Sequence, residues 1–218
     1  MTDIAIVDYG MGNLRSVSKA LEHVAPTASI AVTGDPDVVR KAGRVVVPGQ
    51  GAMRECLRER DARGLGGAVL DAATSKPFLC ICIGLQMLFD SSEEGSGIGL
   101  GIVLRKVLRF PSTAMAETNG QKKLKVPHMG WNEVHQTVTH PLWKDIPNDA
   151  RFYFVHSYYV EISNPEPAAA YSLYPFSFTC AVAKDNIFAV QFHPEKSHEA
   201  GLTLLRNFVQ WEPVSGKK

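Results

Sequence analysis

The 218-residue sequence predicts an α/β protein with a doubly wound, mostly parallel central sheet flanked by helices and antiparallel additions in the second half. Three observations carry that expectation. Short, continuous apolar runs rich in β-branched residues recur through the first half, as strands buried on both faces require. Helix-period stretches lie between them and give a β-α-β succession. In the second half the pattern changes to aromatic and β-branched segments punctuated by Pro and Asn, which suit adjacent, partly antiparallel strands.

The first-half strands are expected at D-I-A-I-V-D (3–8), S-I-A-V-T (29–33), R-V-V-V-P (44–48) and P-F-L-C-I-C (77–82). Between the first two, N-L-R-S-V-S-K-A-L-E-H-V (13–24) sets Leu14, Val17, Ala20, Leu21 and Val24 on one face of a helix. Later strands are expected at R-F-Y-F-V-H-S-Y-Y-V-E-I (151–162), F-S-F-T-C-A-V-A (176–183) and I-F-A-V-Q-F (187–192), and a last helix at E-A-G-L-T-L-L-R-N-F-V-Q-W (199–211). This organisation is expected to form one domain over residues 1–212, followed by a polar tail at 213–218.

Composition narrows the function classes. Lysine plus arginine number 23 against 22 aspartate plus glutamate, a net charge of +1 with no run of like charges, so nucleic acid is not an expected partner. No apolar run is long enough for a membrane helix, and the acidic start M-T-D-I-A-I-V-D does not resemble a signal peptide. Four cysteines, at 56, 80, 82 and 180, are too few and too unevenly spaced for a disulfide framework. A reducing, cytoplasmic compartment fits them.

In open sheets of this kind, ligands bind beyond the carboxyl ends of the strands, where loops pass into helices. Three loops qualify: D-Y-G-M-G-N, P-G-Q-G-A and C-I-G-L-Q. The first fails as a dinucleotide fingerprint, because Arg15 stands where the third glycine of G-x-G-x-x-G would be, and no G-x-x-x-x-G-K-[ST] occurs. Neither a cofactor nor a metal is expected: Cys80 and Cys82 have no histidine or further cysteine at ligand spacing, and C-x-C is not the C-x-x-C of a redox pair.

A cysteine in an apolar strand is ordinarily core, and Cys80 is read that way. Cys82 has a different context. It ends the strand, precedes Gly84 and leads into L-Q-M-L-F-D, read as a helix; this is the strand–turn–helix shape of a nucleophile elbow, where a thiolate is favoured. A nucleophile needs a base, and the base an orienting group. In A-V-Q-F-H-P-E-K-S-H, His193 and Glu195 flank Pro194 after an apolar strand and point the same way if the backbone is extended. His193 is thus either a structural histidine or the base. His198 stands five residues on, across a proline, which excludes the helical H-E-x-x-H arrangement of zinc proteases. Among the other histidines, His156 in F-V-H-S-Y-Y is a pocket candidate. P-G-Q-G-A can be a simple turn or a backbone cradle for an oxyanion.

Together the cysteine elbow, the late H-P-E and the Gly-Gln-Gly turn resemble the class I glutamine amidotransferases, a flavodoxin-like family with a Cys-His-Glu triad. D-Y-G-M-G-N-L-R-S-V (8–17), V-P-H-M-G-W-N (126–132), F-V-H-S-Y-Y (154–159) and Q-F-H-P-E-K-S (191–197) are similar to the family's histidine-biosynthesis branch, the glutaminase subunits of imidazole glycerol phosphate synthases. The resemblance covers nearly the whole chain, from Ile4 to about Trp211. It implies a cofactor-free glutaminase in a heterodimer with a (β/α)8 cyclase, to which ammonia passes through a channel for formation of imidazole glycerol phosphate and AICAR.

By the same resemblance Cys82 attacks glutamine, His193 moves the proton and Glu195 holds His193. Gly49, Gln50 and Gly51 form the oxyanion wall; Gln86 and Glu94 bind substrate through side chains, and His156, Ser157 and Tyr158 through backbone. It also implies weak glutaminase activity without the cyclase, with 49–51 as the switched element. Two positions depart from the family pattern: Cys80 stands where glycine is common, and Gln50 where P-G-V-G is frequent. A glutaminase subunit of another synthase remains an alternative, as does a catalytically silent regulatory subunit, although retention of Cys82, His193 and Glu195 argues against silence.

Overall fold

The computed structural model describes residues 2–94, 99–111, 124–160 and 167–213. The chain opens with β1 (Ile4–Val7), α1 (Leu14–Val24), β2 (Ile30–Thr33), α2 (Pro36–Lys41) and β3 (Arg44–Gly49). Then come α3 (Met53–Ala62), α4 (Leu65–Ser75), β4 (Phe78–Cys82), the single turn α5 (Ile83–Gln86), β5 (Phe89–Ser92) and β6 (Val103–Arg109). The second half contributes β7 (His128–Glu133), β8 (His135–Gln136), β9 (Arg151–His156) and β10 (Tyr158–Val160). It closes with β11 (Ala168–Leu173), β12 (Ser177–Lys184), β13 (Ile187–Val190) and α6 (His198–Gln210).

The main sheet runs β2-β1-β3-β4-β13-β12-β10-β6-β5, with β11 and β8 attached through β12. Its first five strands are all parallel. β1, β4 and β13 are buried at every position, so these strands carry continuous apolar runs because both of their faces are covered. Helices α1 and α6 pack together, and α4 packs against α2 and α3. α1 buries Val17, Ala20 and Leu21, while Leu14 and Val24 at its ends are partly buried against the core.

Two expectations need correction. The run 151–162 is expected as one strand, but its described part divides at Ser157: β9 pairs with β7 in a separate two-stranded sheet, whereas β10 joins β12 and β6. Residues 161 and 162, like the tail from 214, lie outside the described residues. The expected helix L-Q-M-L-F-D stops after one turn at Gln86. The chain then extends as β5, whose pairing with β6 buries Phe89 completely. Tertiary burial of an apolar segment outweighs its helix propensity here.

Candidate active site

The parallel strands β3 and β4 end abreast, with Gly49 opposite Cys82. At Cys82 the backbone turns sharply, with φ of 56° and ψ of −109°. A non-glycine residue there costs on the order of 1–3 kcal/mol and persists only where packing enforces it. Gly84 explains the enforcement. A Cβ on Gly84 would lie 2.0 Å from the Val47 carbonyl oxygen, so the elbow presses directly on the backbone of β3. Gly49 serves the same close approach from the other side: a Cβ there would meet Ile83 Cβ at 2.5 Å and Tyr9 Oη at 2.8 Å. Cys80 fits beneath this turn, fully buried, with its Cβ 3.4 Å from where a Gly84 Cβ would stand. Burial also raises the Cys80 thiol well above its ordinary range.

The opposite wall comes from the turn after β13. His193 Nδ1 lies 2.8 Å from Glu195 Oε1, and both side chains are nearly inaccessible. Pro194 starts a 3₁₀ turn (Pro194–Lys196) that carries the glutamate back toward the ring. Ser197 Oγ donates to the His193 carbonyl and accepts from Tyr153 N–H, which ties this turn to β9. His193 Nε2 is buried without a hydrogen-bond partner among the described residues. Burial alone would lower the His193 pKa. Charge interaction with the Cys82 sulfur, with further help from the hydrogen bond to Glu195, outweighs it and raises the pKa to about 10.

Cys82 and His193 line a cavity of about 440 Å³ with Gln50, Gly51, Ile83, Gln86, Glu94, Pro127, Val155, His156, Ser157, Tyr158 and Lys196. The three residues from His156 to Tyr158 line it at the crossover between the two sheets, the place where the sequence suggests an unbroken strand. Gly49 is not on its surface; it lies beneath, as the close approach requires. Glu94 Oε2 accepts from Met53 N–H at 2.9 Å, at the start of α3. Burial raises the Glu94 pKa, partly countered by that bond. Gln50 C=O accepts from Cys56 Sγ at 3.6 Å, and Tyr9 Oη donates to Pro48 C=O, so the P-G-Q-G segment is tethered at two carbonyls. The Cys56 thiol, pushed up to about 12 mainly by burial, remains a donor.

Behind the cavity wall, His156 Nδ1 donates to Tyr158 C=O at 2.7 Å, which leaves its Nε2 to accept from His128 Nδ1 at 2.9 Å. Burial lowers His128 to about 4 and, as the largest influence, His156 to about 3, so both are neutral at pH 7 and hold fixed tautomers. Sequence reasoning did not select Pro127, Val155, Lys196 or Gln191. Gln191 lies at 0% exposure and donates through Nε2 to Cys82 Sγ at 3.7 Å. Its sequence signals were a polar residue at the end of an apolar strand and its place at the head of Q-F-H-P-E-K-S (191–197).

The glutamine amidotransferase class-I family model matches residues 5–211. The chain belongs to the class I glutamine amidotransferases. It is 75% identical over 98% of its length to the imidazole glycerol phosphate synthase subunit HisH of Nitrosospira multiformis, all of which is covered. It is 65% identical to the protein of that name from Thiobacillus denitrificans, over 97% of this chain and 92% of the relative. Among solved structures, a glutamine amidotransferase aligns with TM-score 0.69 at 15% identity, covering 94% of this chain and 97% of the other. A glutamine amidotransferase from Thermotoga maritima aligns at 0.59 with 12% identity, over 89% of this chain and 76% of the other. These two share the fold of this amidotransferase. Among its described residues, no group of three or more His, Cys, Asp or Glu side chains could hold a metal ion.

The raised pKa of His193 gives this amidotransferase a measurable signature. In Cys82→Ala the interaction with the sulfur is lost, and the His193 imidazole resonances are expected to titrate well below pH 10, as followed by NMR. An unchanged midpoint would mean that sulfur and imidazole are not coupled. For wild type, a folded pKa raised above 6.5 makes the contribution of His193 to stability complete below about pH 6.5 and lost as pH rises through about 10.

Proposed function

We infer that this chain is the glutaminase subunit of an imidazole glycerol phosphate synthase, with residues 1–212 acting as one amidotransferase domain. The observation that carries the reading is the meeting, in one cavity, of a thiol on a strained elbow with the imidazole of a buried His–Glu pair from the turn after β13. The relatives' names support the choice of synthase.

Cys82 Sγ attacks the side-chain amide carbon of glutamine, forming a C–S bond and a tetrahedral oxyanion. Backbone N–H groups of the Gly49–Gly51 segment face that oxyanion when the segment is in its active orientation, each well-placed donor contributing roughly 3–4 kcal/mol. His193 gives its proton to the departing nitrogen, the C–N bond breaks, and ammonia leaves a γ-glutamyl thioester. Water then attacks the thioester, His193 takes its proton, and C–S cleavage releases glutamate. Glu195 keeps the imidazole oriented throughout. Gln86 and Glu94 hold the substrate by their side chains, and residues 156–158 hold it by backbone contacts.

Ammonia released into water near neutral pH becomes ammonium and is no longer a nucleophile. The product therefore passes through a channel into a docked cyclase subunit with a (β/α)8 barrel. The tethers on Gln50 and Pro48 carbonyls support weak hydrolysis by the free chain, because they restrain the segment that must present its N–H groups. Glutamate release is to be measured for the chain alone and with a purified cyclase and its ligand. The free chain is expected to be at least about 100-fold slower, the range of one missing oxyanion donor. Full activity without the partner would rule out the switched segment. No activity in either state would rule out the glutaminase reading.

A further inference from the structure

Gln191 stands one residue beyond β13 as a wholly buried amide under the active site. Strand register accounts for its position. β13 and β4 pair in parallel with Ala189 abreast of Cys80 and Val190 abreast of Ile81, so the next step along both chains brings Gln191 beside Cys82. Its Nε2 donates to Cys82 Sγ at 3.7 Å, and its Oε1 accepts from Gln86 Nε2 at 3.1 Å.

Each amide in this chain of contacts is oriented by the next. The reactive form of the nucleophile, the thiolate, only accepts hydrogen bonds, and Gln191 turns its NH2 toward the sulfur and its carbonyl away, as that form requires. That carbonyl accepts only, so Gln86 meets it with its own NH2. Gln86 Oε1 is then the free end of the chain. It is buried without a hydrogen-bond partner among the described residues, on a residue that lines the cavity. An acceptor left in that state costs free energy until an N–H reaches it.

We propose that Gln191 is a positioning residue of the amidotransferase reaction, which stabilises Cys82 as the thiolate and, through Gln86, commits the cavity to a substrate that brings an amide or ammonium N–H to that point. The proposal rests on Cys82 being the nucleophile. A hydrogen bond from a neutral amide to a buried anion belongs to the stronger, charge-assisted class. The sulfur thus has a donor that does not titrate.

Two variants test it. Gln191→Met keeps the side-chain volume and removes both polar ends, whereas Gln191→Glu keeps an acceptor for Gln86 and puts a carboxylate oxygen beside the sulfur. Two quantities are read: the alkylation rate of Cys82 by iodoacetamide at pH 7 in the folded chain, mapped by peptide mass, and kcat and KM for glutamine with the cyclase bound. Alkylation and kcat are expected to fall about ten-fold in both variants. KM is expected to rise several-fold in Gln191→Met, where Gln86 is free to turn, and to stay within about two-fold in Gln191→Glu. A role in packing alone would leave alkylation of the folded molecules unchanged, and equal rates in wild type and both variants would overturn the proposal. If Gln191→Met does not fold, the isosteric Gln191→Glu decides the question alone. A wild-type complex that hydrolyses no glutamine would instead remove the underlying reading, while the alkylation comparison would still decide whether Gln191 acts on the sulfur.

Discussion

Cys82→Ala is expected to reduce kcat for glutamine hydrolysis by about 10⁶-fold, the loss seen when the nucleophile of a covalent hydrolase is deleted. Cys80→Ala is expected to retain near-wild-type kcat and to lose about 1 kcal/mol of stability for the missing buried sulfur. The contrast tests position against identity, because the same thiol occurs twice within three residues. Cys80 lies within β4, abreast of Val47 and Ala189, fully buried and off the cavity surface. With its thiol raised by burial it is rarely a thiolate, the only reactive form. Cys82 is turned out of the strand by its positive φ and lines the cavity with His193. Steady-state glutaminase assays with the cyclase bound decide the matter. Loss of turnover in Cys80→Ala, with activity retained in Cys82→Ala, would reverse the assignment.

Gly84→Ala is expected to destabilise the fold by about 3 kcal/mol, the upper end of ordinary overpacking. It is also expected to lower kcat by about 10²-fold in the molecules that remain folded, as a displacement of about 1 Å at a reacting atom can. The added Cβ would stand 2.0 Å from the Val47 carbonyl oxygen and 3.1 Å from its carbon. Both are backbone atoms of a central strand paired on both sides, so the strand does not yield and the elbow must lift. Lifting moves Cys82 away from His193 and from the end of β3. Urea denaturation measures the first effect, and kcat corrected for folded fraction the second. A variant with wild-type stability and kcat would show that contact with β3 is not what holds the nucleophile.

The parallel half of the fold was legible because its signal is local. I-A-I-V, V-V-V-P and F-L-C-I-C are apolar throughout because β1, β3 and β4 are covered on both faces, and no long-range information is needed to see it. The antiparallel half was less so. Nothing in the residues of R-F-Y-F-V-H-S-Y-Y shows that the chain changes sheets at Ser157, since both halves keep strand character and only their partners differ. The segment after the elbow misled for a related reason: Leu88 and Phe89 satisfy a helix pattern, but pairing with β6 claims Phe89–Ser92. At the site, Cys82, His193 and Glu195 stood out because an elbow and H-P-E are sequence-local shapes. Gln191 did not, because its relation to Cys82 exists only through the register of β13 on β4.

The central claim is that Cys82, activated by the His193–Glu195 pair, attacks the side-chain carbon of glutamine. It is tested most directly by exposing the cyclase-bound protein to a glutamine analogue with an electrophilic carbon in place of the side-chain amide, followed by peptide mass mapping. The expected result is one covalent adduct per chain, on Cys82, formed much more slowly in His193→Ala. An adduct on Cys80, or labelling of Cys82 at the same rate with and without His193, would contradict it.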